Sequence, residues 1–111
     1  MRLLHGFIAV TIMVGSCFLM TQATWAANPD YYNSGLSAMK AGSVQEAIDH
    51  FSRAIKESPN DYRLYNDRGV AYKRLGDIER ALADYSKALE IKPDYANALN
   101  NRGLIYLQRG N

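Results

Sequence analysis

Apolar positions along the chain follow two regimes. From Leu3 to Met20 they run together without a charged residue, whereas beyond residue 28 they recur at helical spacing among charged and amide side chains. Tyr65, Val70, Ala71, Tyr72 and Leu75 share such a spacing and the run stops at Gly76, which predicts a helix from Tyr62 to Leu75. Asp77 then reads as the N-cap of a second helix reaching about Ile91. Upstream, Gly42 is the corresponding stop. The run Ser43, Val44, Gln45, Glu46 reads as a capping box, Ser43 bonding forward and Glu46 bonding back. Pro59 and Pro93 end the second helix of each pair.

The pattern repeats. Gly35, Gly69 and Gly103 lie 34 residues apart, as do Gly42, Gly76 and Gly110. Tyr31 with Tyr65, Ala47 with Ala81, Phe51 with Tyr85, Ala54 with Ala88, and Pro59 with Pro93 keep the same spacing. A period of this length marks a repeat whose unit is a pair of helices. The small residues have a mechanical role, because two helices approach closely only where the contact face lacks a large side chain. Gly69 with Ala81 meets that need inside one unit and Ala88 against the next, while Tyr72 and Tyr85 fill the space where the helices diverge.

Glycine at position 8 of the unit, an aromatic at 11, alanine at 20, an aromatic at 24, alanine at 27 and proline at 32 resemble the tetratricopeptide repeat. Residues 62–95 carry all six, as Gly69, Tyr72, Ala81, Tyr85, Ala88 and Pro93. Residues 28–61 carry five, Ala38 replacing the aromatic at 11, so looser packing of the first helix pair is expected. Residues 96–111 carry Gly103 and Tyr106 and read as helix A of a third repeat. The resemblance covers 84 of 111 residues and implies an all-α solenoid of antiparallel helix pairs, two full repeats plus helix A of a third. Ile105, Tyr106 and Leu107 would then lack the helix that normally covers part of them, and solenoids need polar terminal units. The expectation is a truncated reading of a longer repeat protein; the alternative is a lone helix serving as an apolar cap or dimer surface.

Residues 1–27 hold 18 apolar residues and a single charge, Arg2. A positive start, a hydrophobic stretch and a small-residue segment from Thr21 to Ala27 form the layout of a secretory signal peptide over residues 1–26. Cleavage is expected after Ala26, with Thr24 as the other small residue, delivering the chain through the general secretory route to a bacterial periplasm or cell envelope. Val14, Gly15, Ser16 and Cys17 also resemble a lipobox, although Phe18, Leu19 and Met20 continue the hydrophobic run past the cysteine. An uncleaved anchor is a third route, since about 18 apolar residues just span a bilayer; His5, Gly6 and Gly15 weaken it.

Beyond the leader, 12 Lys and Arg face 11 Asp and Glu, which excludes a nucleic-acid binder working by bulk charge. Cys17 and Trp25 both lie in the leader, so the remainder has neither a disulfide nor a thiolate nucleophile. His50, its one histidine, adjoins Asp49, but sequence neighbours on a helix point in different directions, and His50 reads as solvent-facing rather than half of an acid–base pair. Asp77, Glu79 and Asp84 do not share one face as a metal site would, and read as capping or solvated carboxylates. The glycines are spaced for helix packing, not for cradling phosphate. Tyr65, Tyr72, Tyr85 and Tyr106 occupy packing positions and read as core rather than as a base-stacking platform. No enzyme activity, cofactor or metal is expected.

The resemblance implies that the A helices line a concave groove, chiefly through unit positions 2, 5, 9, 12 and 13, which takes extended peptides or helices of partner proteins. Those positions hold Tyr32, Leu36, Met39 and Lys40, then Arg63, Asn66, Val70, Lys73 and Arg74, then Asn97, Asn100, Leu104 and Gln108. The centre is basic and amide-lined, with an apolar end. Asn66 and Asn100 recur at position 5, where a carboxamide can pair with both groups of a peptide bond. The carboxylate clamp known in this family would put lysine and asparagine at positions 5 and 9 of the first unit, asparagine at 6 of the second, and lysine and arginine at 2 and 6 of the third. Here Tyr32, Leu36, Asp67, Asn97 and Asn101 stand there, and none matches. The expected function is an exported, noncatalytic module binding a partner protein or peptide, acidic where it meets the basic centre, with no nucleic acid and no small-molecule substrate. Membrane contact would follow only from lipidation at Cys17 or an uncleaved leader. Two rival readings are the targeting portion of a longer envelope enzyme and a structural repeat that self-assembles through its last helix.

Overall fold

A computed structural model describes residues 29–110. Cleavage after Ala26, lipidation at Cys17 and the anchor all concern residues outside that range. The described chain forms five helices: α1 (Tyr31–Ala41), α2 (Val44–Glu57), α3 (Tyr62–Arg74), α4 (Ile78–Ile91) and α5 (Ala96–Gln108). Among the described residues there is no strand, and no helix is long and apolar enough to cross a membrane.

The helix boundaries follow from local chemistry. Asp30, Asp61 and Asp77 cap α1, α3 and α4, their carboxylates accepting from the backbone N–H of Asn33, Arg63 and Arg80 at 3.1, 3.1 and 3.2 Å. Gly42 and Gly76 take left-handed backbone at φ 81° and 82°, and the following N–H of Ser43 and Asp77 reaches back to Ala38 and Tyr72 carbonyls at 2.9 Å. The expected capping box at α2 does not form. Ser43 occupies the N-cap without a side-chain bond, and Glu46 turns along the helix toward His50, 3.5 Å away, instead of back to the cap.

Each helix pair closes on a glycine. A Cβ on Gly35 would lie 2.5 Å from Phe51 Cε1, and one on Gly69 would lie 2.7 Å from Tyr85 Cε1 and 3.3 Å from the Ala81 carbonyl. Phe51, Tyr85, Ala47 and Ala81 are fully buried as a result. The second repeat and α5 share one core of Tyr65, Ala81, Tyr85, Ala88, Leu89, Ala98 and Ile105, and a smaller core joins Ala38, Ala47 and Phe51 in the first pair. The Tyr85 hydroxyl is buried with no hydrogen-bond partner among the described residues, and burial first, then Asp84, pushes its pKa up to about 12.

Three expectations need correction. Asp84 neither caps nor meets solvent: it is buried, and the Arg68 guanidinium donates to both its oxygens at 2.8 Å and to Ser52 Oγ at 3.1 Å, tying α3 to α4 and α2. His50 is half-buried rather than solvent-facing, because the Tyr31 ring at the start of α1 stacks on it with ring centroids 6.3 Å apart. Tyr106, also read as core, is 38% exposed as the missing cover over α5 implies, whereas Ile105, expected to lack the same cover, is buried in the core shared with α4.

Candidate functional site

The A helices α1, α3 and α5 carry the expected groove residues, and polar contacts join these helices to one another. The Arg63 guanidinium lies 5.6 Å above the Tyr32 ring, holding α3 to α1. At the far end of the same pair, Arg74 Nη1 donates to the Met39 carbonyl at 3.3 Å. Between α3 and α5, Asn101 Nδ2 donates to Asn66 Oδ1 at 3.1 Å. Because each contact crosses from one repeat to the next, together they fix the angle between repeats.

These bonds change the role of two expected groove residues. Asn66 is 4% exposed and its carboxamide is used inside the fold, accepting from Asn101 and donating to Asp67 Oδ1 at 3.3 Å, so it is not open to a partner backbone. Asn100, at the same unit position, is exposed, no fourth A helix being present among the described residues to engage it. Arg63 is exposed but not a free cation. Its Nε and Nη2 donate to Asp61 at 3.0 and 2.7 Å; that bonding holds the Asp61 carboxyl below its usual range and the guanidinium above its own.

The remaining positions divide by exposure. Tyr32, Leu36, Met39 and Val70 are half-buried and pack against the two cores, leaving part of each accessible. Lys40, Asn97, Leu104 and Gln108 are exposed, and Asn97 donates to the Tyr95 hydroxyl at 3.2 Å. Lys73 is half-buried and Arg74 exposed; neither forms an ion pair among the described residues. Asp67 joins the site from a position that the groove register omits. Burial raises its carboxyl pKa, against bonds from Asn66 and Tyr32, and burial together with that carboxylate raises the Tyr32 hydroxyl.

For acid–base or metal chemistry the arrangement offers little. Asp49 bonds to Gln45 at 3.3 Å rather than to His50, and no cluster of three or more His, Cys, Asp or Glu side chains suited to a metal occurs among the described residues. The expected groove residues form a surface of graded polarity, with Asn66 and Asn101 hydrogen-bonded beneath it.

Comparison with known proteins decides the family. A sequence profile described as TPR repeat matches residues 35–76 and 71–110. The chain belongs to the tetratricopeptide repeat family. Among solved structures similar to this tetratricopeptide chain is MamA, with 31% identity and a TM-score of 0.70 over 72% of this chain and 47% of MamA. The first tetratricopeptide domain of Spaghetti (RPAP3), bound to the HSP90 peptide SRMEEVD, is 27% identical with a TM-score of 0.67, covering 69% of this chain and 61% of that one. Its second domain, bound to the same peptide, is 25% identical with a TM-score of 0.69, covering 72% and 74%. The chain thus spans about half the length of MamA. Comparison with curated proteins finds no match.

Proposed function

We propose that the chain is an exported, noncatalytic protein-interaction module that takes an extended segment of a partner protein along its concave face. One observation carries the reading: Lys73 and Arg74 present positive charge on a helix of that face without an ion pair among the described residues, while Asp61 neutralises Arg63 beside them. The same face leaves Leu36, Met39 and Val70 partly accessible and Asn97 and Asn100 exposed, so an acidic segment with apolar flanks fits its chemistry. Peptide binding by the two Spaghetti domains, which share the fold, supports a peptide as the partner class.

The mode of binding differs from a carboxylate clamp. Asp67 stands where the clamp places an asparagine, and a carboxylate there repels the terminal carboxylate of a partner. Acidic side chains within a segment, meeting Lys73 and Arg74, avoid that repulsion. The test is a peptide selected from a display library against the protein. Reversing both charges, Lys73→Glu with Arg74→Glu, is expected to slow its association and flatten the salt dependence, because exposed charges are screened beyond about 8 Å at physiological ionic strength. Reversal of Lys87 on α4 serves as the control, and equal loss there would refute the groove.

Export rests on the leader of residues 1–26 and places the module in a bacterial periplasm or cell envelope. Mass spectrometry of the chain from envelope fractions is expected to find Ala27 as the first residue. A lipid on Cys17 would instead tether the repeats to a membrane face.

A further inference from the structure

Four aspartates of the described residues are not exposed, and three of them pair with an arginine: Asp61 with Arg63 at 2.7 Å, Asp77 with Arg80 at 3.5 Å and Asp84 with Arg68 at 2.8 Å. The fourth, Asp67, forms no ion pair among the described residues. Its carboxylate accepts from Asn66 Nδ2 at 3.3 Å and from the Tyr32 hydroxyl on α1. Both donors are neutral, and a carboxylate has about four acceptor sites, more than these two fill. Arg63, one turn earlier on α3, donates to Asp61 instead. Burial raises the Asp67 carboxyl pKa, so its charge is carried at a cost that an arriving cation would offset.

Asp67 is one end of a strip. Tyr32 of α1 meets Asp67 and the Met39 carbonyl of α1 meets Arg74, so the seam between α1 and α3 runs from that carboxylate, past the half-buried Leu36 and Val70, to Lys73 and Arg74. At a rise of about 1.5 Å per residue, its charged ends lie roughly 9–11 Å apart along α3. A segment in the polyproline II form covers about 9 Å in three residues and brings its first and fourth side chains to the same side. Resting on the groove reading above, we infer that the bound segment carries both signs of charge: a lysine or arginine that pairs with Asp67 and, three residues away, a carboxylate that meets Lys73 and Arg74. A wholly acidic segment laid along this seam sets a carboxylate against Asp67 and is repelled. Asp67 is therefore the residue that makes the seam select a bipolar segment.

The test is a random peptide display library panned in parallel on the protein and on Asp67→Asn, a variant of the same shape whose fold is checked by circular dichroism. On the unaltered chain, the selected peptides are expected to hold a basic residue three positions from an acidic one; on Asp67→Asn, the acidic residue is expected to persist and the basic preference to vanish. One selected peptide is then synthesised with an acetylated N-terminus, so that no terminal amine supplies the cation. Replacing its basic residue by glutamine is expected to weaken binding to the unaltered chain about fivefold and to leave binding to Asp67→Asn unchanged. Selected peptides that lose affinity for Lys73→Glu with Arg74→Glu, yet show no basic preference or the same glutamine effect on both chains, would overturn the role of Asp67 and leave the groove reading standing. A basic residue enriched at another spacing would overturn the seam as the path of the segment. Peptides indifferent to the Lys73→Glu and Arg74→Glu reversal, or an empty selection, would overturn the groove reading and this inference with it.

Discussion

The Arg68 guanidinium holds three helices through one charged fork, and only 20% of its side chain is exposed. Asp84→Ala leaves that cation unpaired, and a loss of about 3 kcal/mol is expected from the cost of an uncompensated buried charge. Replacing both partners, Arg68→Met with Asp84→Leu, removes the charges together and is expected to restore most of the loss in chemical denaturation; a double variant as unstable as the single one would contradict this. Asp67 gives a pH signature of defined sign. Its carboxyl is raised above the ordinary 3.8, chiefly by burial, so the folded chain holds that proton more tightly than the unfolded chain does. The stabilisation is complete below the ordinary value and is lost as pH rises through the raised one. Asp67→Asn carries a neutral amide throughout and is expected to flatten that decline in urea midpoints measured from about pH 3 to about pH 7. An unchanged slope would place the titration elsewhere.

Among the helices, glycines at one register position separate packing from propensity. Gly69→Ala drives a methyl into the Tyr85 ring and the Ala81 carbonyl, and is expected to destabilise by about 1–3 kcal/mol. Gly103→Ala meets open space within a helix and is expected to stabilise by about 0.5–1 kcal/mol, since glycine is the poorer helix former. Thermal melts of the two variants are expected to move in opposite directions, and a shared direction would mean that the helix pairs do not close on these glycines. This close approach was legible in the sequence because a 34-residue period repeats it. The helix stops at Gly42 and Gly76 were legible too, as both need left-handed backbone. The Ser43 cap was not, for a capping box depends on which way Glu46 turns, and His50 one helical turn onward competes for it. Asp84 was misread for a related reason: its partner lies 16 residues away on another helix, beyond any local pattern.

Across the whole molecule, the fold could be read from the repeat, whereas the state of the groove depended on contacts between repeats. Asn66 and Asn101 lie 35 residues apart, and nothing in their separate surroundings marks them as a pair. Arg63 and Asp61 are only two residues apart, so that link could have been found: an aspartate at the N-cap beside an arginine in the first turn is a local signal. The sequence also placed Tyr106 at a packing position, but its cover depends on a helix that the described residues do not include. What remains on the face proposed for partner binding is a hydrogen-bonded floor with Lys73 and Arg74 free of ion pairs among the described residues, beside partly accessible apolar side chains. Partner binding there is tested most directly by mapping amide signals of the labelled protein against a library-selected peptide. The expected result is shifts concentrated on Leu36, Val70, Lys73, Arg74, Asn97 and Asn100, weakened by salt and lost in the variant with both charges reversed. Shifts concentrated on α2 and α4, unaffected by that reversal, would contradict it.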